Sequence, residues 1–470
     1  MSNPGDTDET PITSIRQLGD FIALGCKPKE QWRIGTEHEK FGFSRADLRV
    51  PPYETETCGV GKASRPGIRA TLEGLLGYGG EPILDRGNPI GIKLDGGASV
   101  SLEPAGQLEL SGAPLASLHE TKAEFETHCA EVRAVADKLG IGFAPLGFHP
   151  FATREDMPWM PKGRYAIMRR YMPLVGERGL DMMTRTCTVQ VNLDYGSEAE
   201  MVRKLRVSLA LQPLATALFA NSPFVEGKPT GLLSNRAHAW LDTDNARSGI
   251  PAAMFEDGFG FERHARWLVD EVPMYFVYRD GKYIDVAGQS FRQFMEGKLP
   301  GLPGEVATIG DFADHMTTAF TDVRLKRFIE MRGADAGTPE MMLAQSALWV
   351  GLLYDDAALT AAERRIAGAG GLRADWADAV ALREAVPLQG MAAPYRGAPL
   401  RDLARDIVAI ARDGLRARAI RDASGRDEAV YLAPLEAIAA GGPTQAEHWL
   451  GRYHGAWKGD VRPILAEAAI

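Results

Sequence analysis

The sequence predicts an α+β fold, an antiparallel sheet surrounded by helices, on three observations. Several segments alternate polar and apolar residues with the period of a half-buried strand. Helical segments fall between them without a regular βα repeat, which argues against a doubly wound sheet. The region after about residue 355 is rich in Ala and Arg and reads as a run of helices, 355–470.

Taken in chain order, residues 1–12 are acidic and polar and are expected to be disordered, with one catalytic domain over 13–470. In IGTEHEKFGF, Glu37 and Glu39 share a strand face with Phe41 and Phe43, while His38 points the other way. Asp95-Gly96-Gly97 reads as a hairpin turn between IGIKL and SVSLEP rather than a phosphate cradle. In SVSLEPAGQLELSG, Glu103, Gln107 and Glu109 have one parity; Pro104-Ala105-Gly106 is expected to bulge that strand. Ser117 to Gly140 is a helix with a plausible glycine C-cap. TCTVQVNLDY alternates strictly, with Thr188, Gln190 and Asn192 on one face. A helix follows, opened by Ser197 and Glu200 at capping-box spacing. MYFVYRDGKYIDV is a hairpin about Asp280-Gly281. In RLKRFIEMRG, Glu330 and Arg332 share a face, with Leu325, Ile329 and Met331 opposite.

The chain has 470 residues and a formal charge of −9, from 62 acids against 53 bases. That balance argues against a nucleic-acid partner, which calls for a basic stripe. No apolar run approaches the roughly 18 residues of a membrane span; the longest is broken by Gln212, Pro213 and Asn221. Cys26, Cys58, Cys129 and Cys187 form no disulfide framework and no zinc spacing. With an N-terminus resembling neither a secretory signal nor a transit peptide, the expectation is a cytoplasmic protein.

The carboxylates carry the chemistry. One acid on a strand is usually just a solvated face, but two at i and i+2 beside phenylalanines, with more acids on other strands, would repel unless cations neutralised them. All-oxygen donor sets favour Mg²⁺, or Mn²⁺, over zinc. A carboxylate-held pair of Mg²⁺ ions suits phosphoryl transfer, and the sequence contains no GxxxxGK[ST] loop, so a P-loop enzyme is excluded.

The strings IGTEHEKFGF, SLEPAGQLELSGAPL, MPKGRYAIMRRYMP, GLDMMTRTCTVQVNLDY, ALFANSPFVEGKP, EVPMYFVYRDGKY, GKLPGLPGE and VRLKRFIEMRGAD resemble the plant-type glutamate–cysteine ligases, a group also found in proteobacteria. The likeness runs from about residue 12 past residue 356. It implies a glutamine-synthetase-like fold with ATP and metals on the concave face of a curved antiparallel sheet. It further implies that L-glutamate, L-cysteine and ATP give γ-glutamylcysteine, ADP and phosphate, the first step of glutathione synthesis, through a γ-glutamyl phosphate. By the same resemblance Glu37, Glu39, Glu103, Glu109 and Glu330 are metal ligands, joined by Gln190 or Asn192, and Arg332 contacts the transferring phosphate.

Glutamate also needs a bidentate partner for its α-carboxylate. Arg236, in a segment matching a family loop near substrate, is the first candidate, followed by Arg247, Arg170 and Arg185. Tyr275, Phe276, Met183 and Trp240 are candidates for an apolar wall around the cysteine thiol. A γ-glutamyl ligase for another amine is the alternative within the same fold. A non-catalytic relative is a third reading, opposed by the full set of acids with Arg332. The chain departs from the family at Ala105, where a glycine is usual. It also has Lys122, Val286, Gly301 and Ala344 at the positions aligned with the plant regulatory cysteines. The expected partners are small molecules only, with no nucleic acid and no membrane, and the chain is expected to be a monomer or weak homodimer.

Overall fold

The structure, a computed structural model, describes residues 8–57 and 64–470; Cys58 and residues 1–7 lie outside them. The expectation of disorder fails for residues 8–12. They run beside Ala307–Gly310, where Gly310 N–H donates to Asp8 O at 2.9 Å and Ile12 N–H to Ala307 O at 3.0 Å.

The strands that build the site are β1 (Ile34–Ser44), β2 (Glu81–Asp85), β3 (Asn88–Lys93), β4 (Ser99–Leu102), β5 (Leu108–Ser111), β6 (Ile141–Ala144) and β7 (Thr188–Leu193). A separate hairpin, β8 (Phe276–Arg279) with β9 (Lys282–Asp285), precedes β10 (Val323–Leu325) and β11 (Ile329–Asp335). The helices needed below are α1 (Leu118–Leu139), α2 (Gly163–Val175), α3 (Gly179–Arg185), α4 (Glu198–Leu218), α5 (Asn235–Ala239), α6 (Pro339–Leu353), α7 (Gly371–Gln389) and α8 (Leu400–Arg418).

Nine strands form one sheet, in the order β10-β11-β7-β1-β5-β4-β3-β2, with β6 paired to the far half of β1. Every pairing in it is antiparallel. β1 is central because it is long enough to change partners. Its Glu37–Lys40 stretch pairs with β5, and Phe41–Ser44 with β6.

Strand alternation then sorts its side chains. Thr36 and His38 meet the helices behind the sheet, the Thr36 hydroxyl 2.8 Å from that of Ser346 on α6 and the His38 ring 4.1 Å from Phe125 on α1. Glu37 and Glu39 are left on the opposite face. A contiguous apolar core runs behind the sheet and through the C-terminal helices, from Ile12 through Val191 and Trp349 to Ala439.

Two expected elements differ. Residues 99–111 are not one bulged strand: β4 and β5 form a hairpin, Leu102 opposite Leu108, with Glu103–Gln107 as its loop. Gly106 makes that loop possible with φ of 85°, a conformation L-residues adopt at a cost. Residues 324–332 likewise fold back on themselves as β10 and β11. The Asp95–Gly97 turn joins β3 to β4 as expected, and Asp280 and Gly281, with φ of 50° and 74°, turn β8 into β9. Ser117 and Glu120 close a full capping box on α1, and Gly140 ends it in the left-handed region. Among the described residues no helix is long and apolar enough to cross a membrane.

Candidate active site

The sheet register assembles the site. Glu39 lies opposite Glu109, and Glu109 opposite Ser101, across β1, β5 and β4. Glu37 lies opposite Gln190, and Glu330 opposite both Asn192 and Arg324. Beside this register lies a cleft of about 930 Å³, counted to its open mouth, which Ser101, Asn192 and Glu330 do not line. Glu37, Glu39, Glu103, Glu109, Gln190, Arg332, Arg236, Met183, Trp240 and Phe276 all line it.

Charge divides the cleft. Burial pushes the Glu39 carboxyl well above its usual range, reinforced by Glu103 and Glu109. Burial and Glu109 raise Glu103 to about 7. Like-charged carboxylates sharing a dry space behave this way, and a divalent cation among them would reverse the shift. Among the described residues no three or more acids, histidines or cysteines converge to metal-binding distance. The donor chemistry is nonetheless that of a hard cation: carboxylate oxygens, without Cys or His.

The other side of the cleft is cationic. Glu330 is fully buried beneath it. Arg324 holds both its oxygens, Nε to Oε2 at 2.7 Å and Nη2 to Oε1 at 3.1 Å, Lys326 donates to Oε1 at 3.2 Å, and Arg332 to Oε2 at 2.7 Å. Burial favours the acid form, but these three cations outweigh it and hold Glu330 well below the usual carboxylate range. The expectation that Glu330 ligates a metal is corrected in this conformation, because both oxygens are taken by cations. Gln190 is similarly engaged, its Oε1 accepting from Arg332 Nη1 at 2.6 Å, and Asn192 donates to Glu37 Oε1 at 2.8 Å.

Of the arginine candidates only Arg236 reaches the cleft. Its Nη2 donates to the Arg332 carbonyl at 2.8 Å, and its buried Nε has no partner among the described residues. Arg247 is buried elsewhere, bound to Asp244 at 2.6 Å and to the Thr318 hydroxyl at 3.0 Å, and stacked 3.8 Å from the Tyr275 ring. Tyr275 donates to Asp244 at 3.0 Å and does not line the cleft. Arg170 pairs with Asp285 on the surface, and Arg185 with Asp181 and Glu226. These four already have their partners within the protein, which corrects their assignment to substrate.

Several cleft residues escaped sequence reasoning: Arg324, Arg164, Tyr165, Met168, Met182 and Phe320. Gln107, which shares the parity of Glu103 and Glu109, also lines the cleft. Its amide donates to the carbonyls of Met183, Thr184 and Thr186, which ties the Glu103 loop to the C-terminal end of α3. Ala105 is absent from the positive-φ residues, so its methyl is accommodated where the family carries glycine.

The profile of glutamate-cysteine ligase family 2 matches residues 33–467. The chain belongs to this family. Glutamate–cysteine ligase B of Oryza sativa subsp. japonica, named chloroplastic, is 49% identical over 460 residues, covering 97% of this chain and 87% of that protein. The chloroplastic glutamate–cysteine ligase of Arabidopsis thaliana is 50% identical over 460 residues, covering 97% and 83%. A crystal structure of the Francisella tularensis glutamate–cysteine ligase with AMP superposes with a TM-score of 0.56 at 12% identity, over 93% of this chain and 89% of that one. That likeness bears on the fold, and agrees with a large antiparallel sheet among helices. The chloroplastic names of the family members overturn the cytoplasmic expectation, which rested on the cysteine pattern, the lack of a membrane span and the N-terminus.

Proposed function

We propose that the chain is a glutamate–cysteine ligase, joining the γ-carboxyl of L-glutamate to the amine of L-cysteine with ATP converted to ADP and phosphate. The product, γ-glutamylcysteine, makes this the first step of glutathione synthesis. Family membership supports the reading. The observation that carries it is the division of one cleft into a carboxylate side and an arginine side.

A carboxylate does not condense with an amine at neutral pH, because the departing group would be oxide. Phosphorylation of the glutamate γ-carboxylate supplies a better leaving group, and the cysteine amine then attacks the acyl carbon. Glu37, Glu39, Glu103 and Glu109 would hold Mg²⁺, which when bound supplies positive charge to the phosphates of ATP. Arg332, held by Glu330 and Gln190, would stabilise charge on the transferring phosphoryl group. Arg236 offers its unpartnered Nε to the α-carboxylate of glutamate. Met183, Phe276 and Trp240 give the cleft an apolar wall for the thiol. In this reading residues 13–470 act as one catalytic unit.

The test is phosphate release by purified protein with ATP, Mg²⁺ and glutamate, with and without cysteine, and mass spectrometry of the product. Cysteine-dependent release with γ-glutamylcysteine formed is expected. Release stimulated only by another amine would move the assignment to that acceptor, and none with any amine would remove the ligase reading.

A further inference from the structure

Asp335 ends β11, and its orientation depends on a bulge. Met331 pairs with Val191 but Ala334 pairs with Val189, so β11 carries one extra residue at Arg332–Gly333. The extra residue reverses the alternation. Asp335 therefore pairs with Thr188 and lies on the face that carries Glu330 and Arg332.

Asp335 is buried, yet no cation pairs with it directly among the ion pairs of the described residues. Its Oδ2 accepts from Asn221 N–H at 2.8 Å and the Ser222 hydroxyl at 2.6 Å, and its Oδ1 from the Ser234 hydroxyl at 2.8 Å. Both serines lead to one place. Ser234 is the N-cap of α5, its Oγ accepting from Ala237 N–H at 3.0 Å. Ser222 Oγ accepts from the backbone N–H of Arg236 at 3.3 Å. The space for the carboxylate is built in: a Cβ on Gly147 would lie 2.3 Å from Asp335 Cγ. Burying a carboxylate is costly and seldom the cheapest way to stabilise a loop. Here it fixes the first turn of the short helix that presents Arg236 to the cleft.

We propose that Asp335 is a positioning residue for Arg236, acting through Ser222 and Ser234 to hold the guanidinium where a substrate carboxylate binds. This rests on the reading of Arg236 as the glutamate anchor. Asp335→Asn keeps the side chain's size but turns an amide donor toward groups that now donate to it.

The expected result is a KM for glutamate raised about tenfold or more, with the KM for ATP within about twofold, the loss appropriate to charged hydrogen bonds at one substrate. Ser234→Ala should move glutamate KM the same way, Ser234→Thr should restore it, and the Asp335→Asn/Ser234→Ala double variant should add little to Asp335→Asn alone. Equal shifts in both KM values, or an unchanged glutamate KM in Asp335→Asn, would overturn the proposal. An inactive wild-type protein would instead count against the ligase reading, and a crystal structure of Asp335→Asn decides the positioning role in that case. Displacement of Arg236 from the Arg332 carbonyl is expected; an unmoved Arg236 overturns the role.

Discussion

Glu330 is a carboxylate whose task is to hold arginines in place. Arg324 grips both its oxygens, and Arg332 shares Oε2, so the two guanidiniums are fixed relative to one another. Glu330→Gln retains the shape but removes the buried charge that offsets Arg324, Lys326 and Arg332. Breaking such a group costs about 3–5 kcal/mol of stability, and loss of an oriented electrostatic donor costs about a hundredfold or more in kcat. Urea midpoints and kcat measured on the same preparation check both. A variant with wild-type kcat would reduce the cluster to a scaffold. Glu330 and Arg332 were legible because they stand at i and i+2 on one strand and so share a face. Arg324 shares their parity but was missed, since its nearness to Glu330 comes from a hairpin fold-back and not from strand spacing. Asp335 has the opposite parity, and only the bulge brings it to the face that carries Glu330 and Arg332.

At the scale of elements, turns decided what the sequence disclosed. Asp280-Gly281 and the Asp95–Gly97 run announce hairpins through residues that tolerate positive φ, and both occur. The Ser117–Glu120 box and Gly140 mark both ends of α1 for the same local reason. The β4–β5 connection was hidden because its loop keeps the polar alternation of a strand, with Glu103, Gln107 and Glu109 in step. Its loop depends on Gly106, at φ 85° and with a Cβ position 3.3 Å from Met160 Cε. Gly106→Ala is expected to cost about 1–2 kcal/mol, the penalty of left-handed backbone for an L-residue. It should also lower activity, because Glu103 opens the same loop. Ala105→Gly, one residue earlier, should leave activity unchanged. If thermal unfolding and turnover are the same for Gly106→Ala and Ala105→Gly, the loop does not set the position of Glu103.

At the scale of the molecule, the helix-rich C-terminal part proves more than packing. Arg383 on α7 donates to Asp322 and to the Trp240 carbonyl, both at 2.8 Å, and the Pro387 carbonyl accepts from Leu233 and Ser234 N–H ahead of α5. The net charge of −9 is likewise reconciled with anion binding by local gathering of arginines. The same enclosure buries histidines that do not line the cleft. Burial depresses His149 to about 3, and His264 and His315 to about 4. A histidine depressed in the fold contributes stability that is complete above its unfolded pKa near 6.5 and is lost as pH falls toward the folded value. Each therefore removes about 1.4 kcal/mol per pH unit below 6.5. Glu103, raised to about 7, works in the opposite sense: its contribution is full below its unfolded pKa and disappears as pH rises through 7. The whole-protein slope is a difference of the two, so a single substitution must isolate one of them. His315 Nε2 lies 2.9 Å from the Leu268 carbonyl, a bond a glutamine amide can also donate. Between pH 6.5 and 5.5, His315→Gln should lose about 1 kcal/mol less stability than the unsubstituted chain. Urea unfolding at the two pH values measures it, and parallel losses would mean that His315 takes up its proton without leaving the fold.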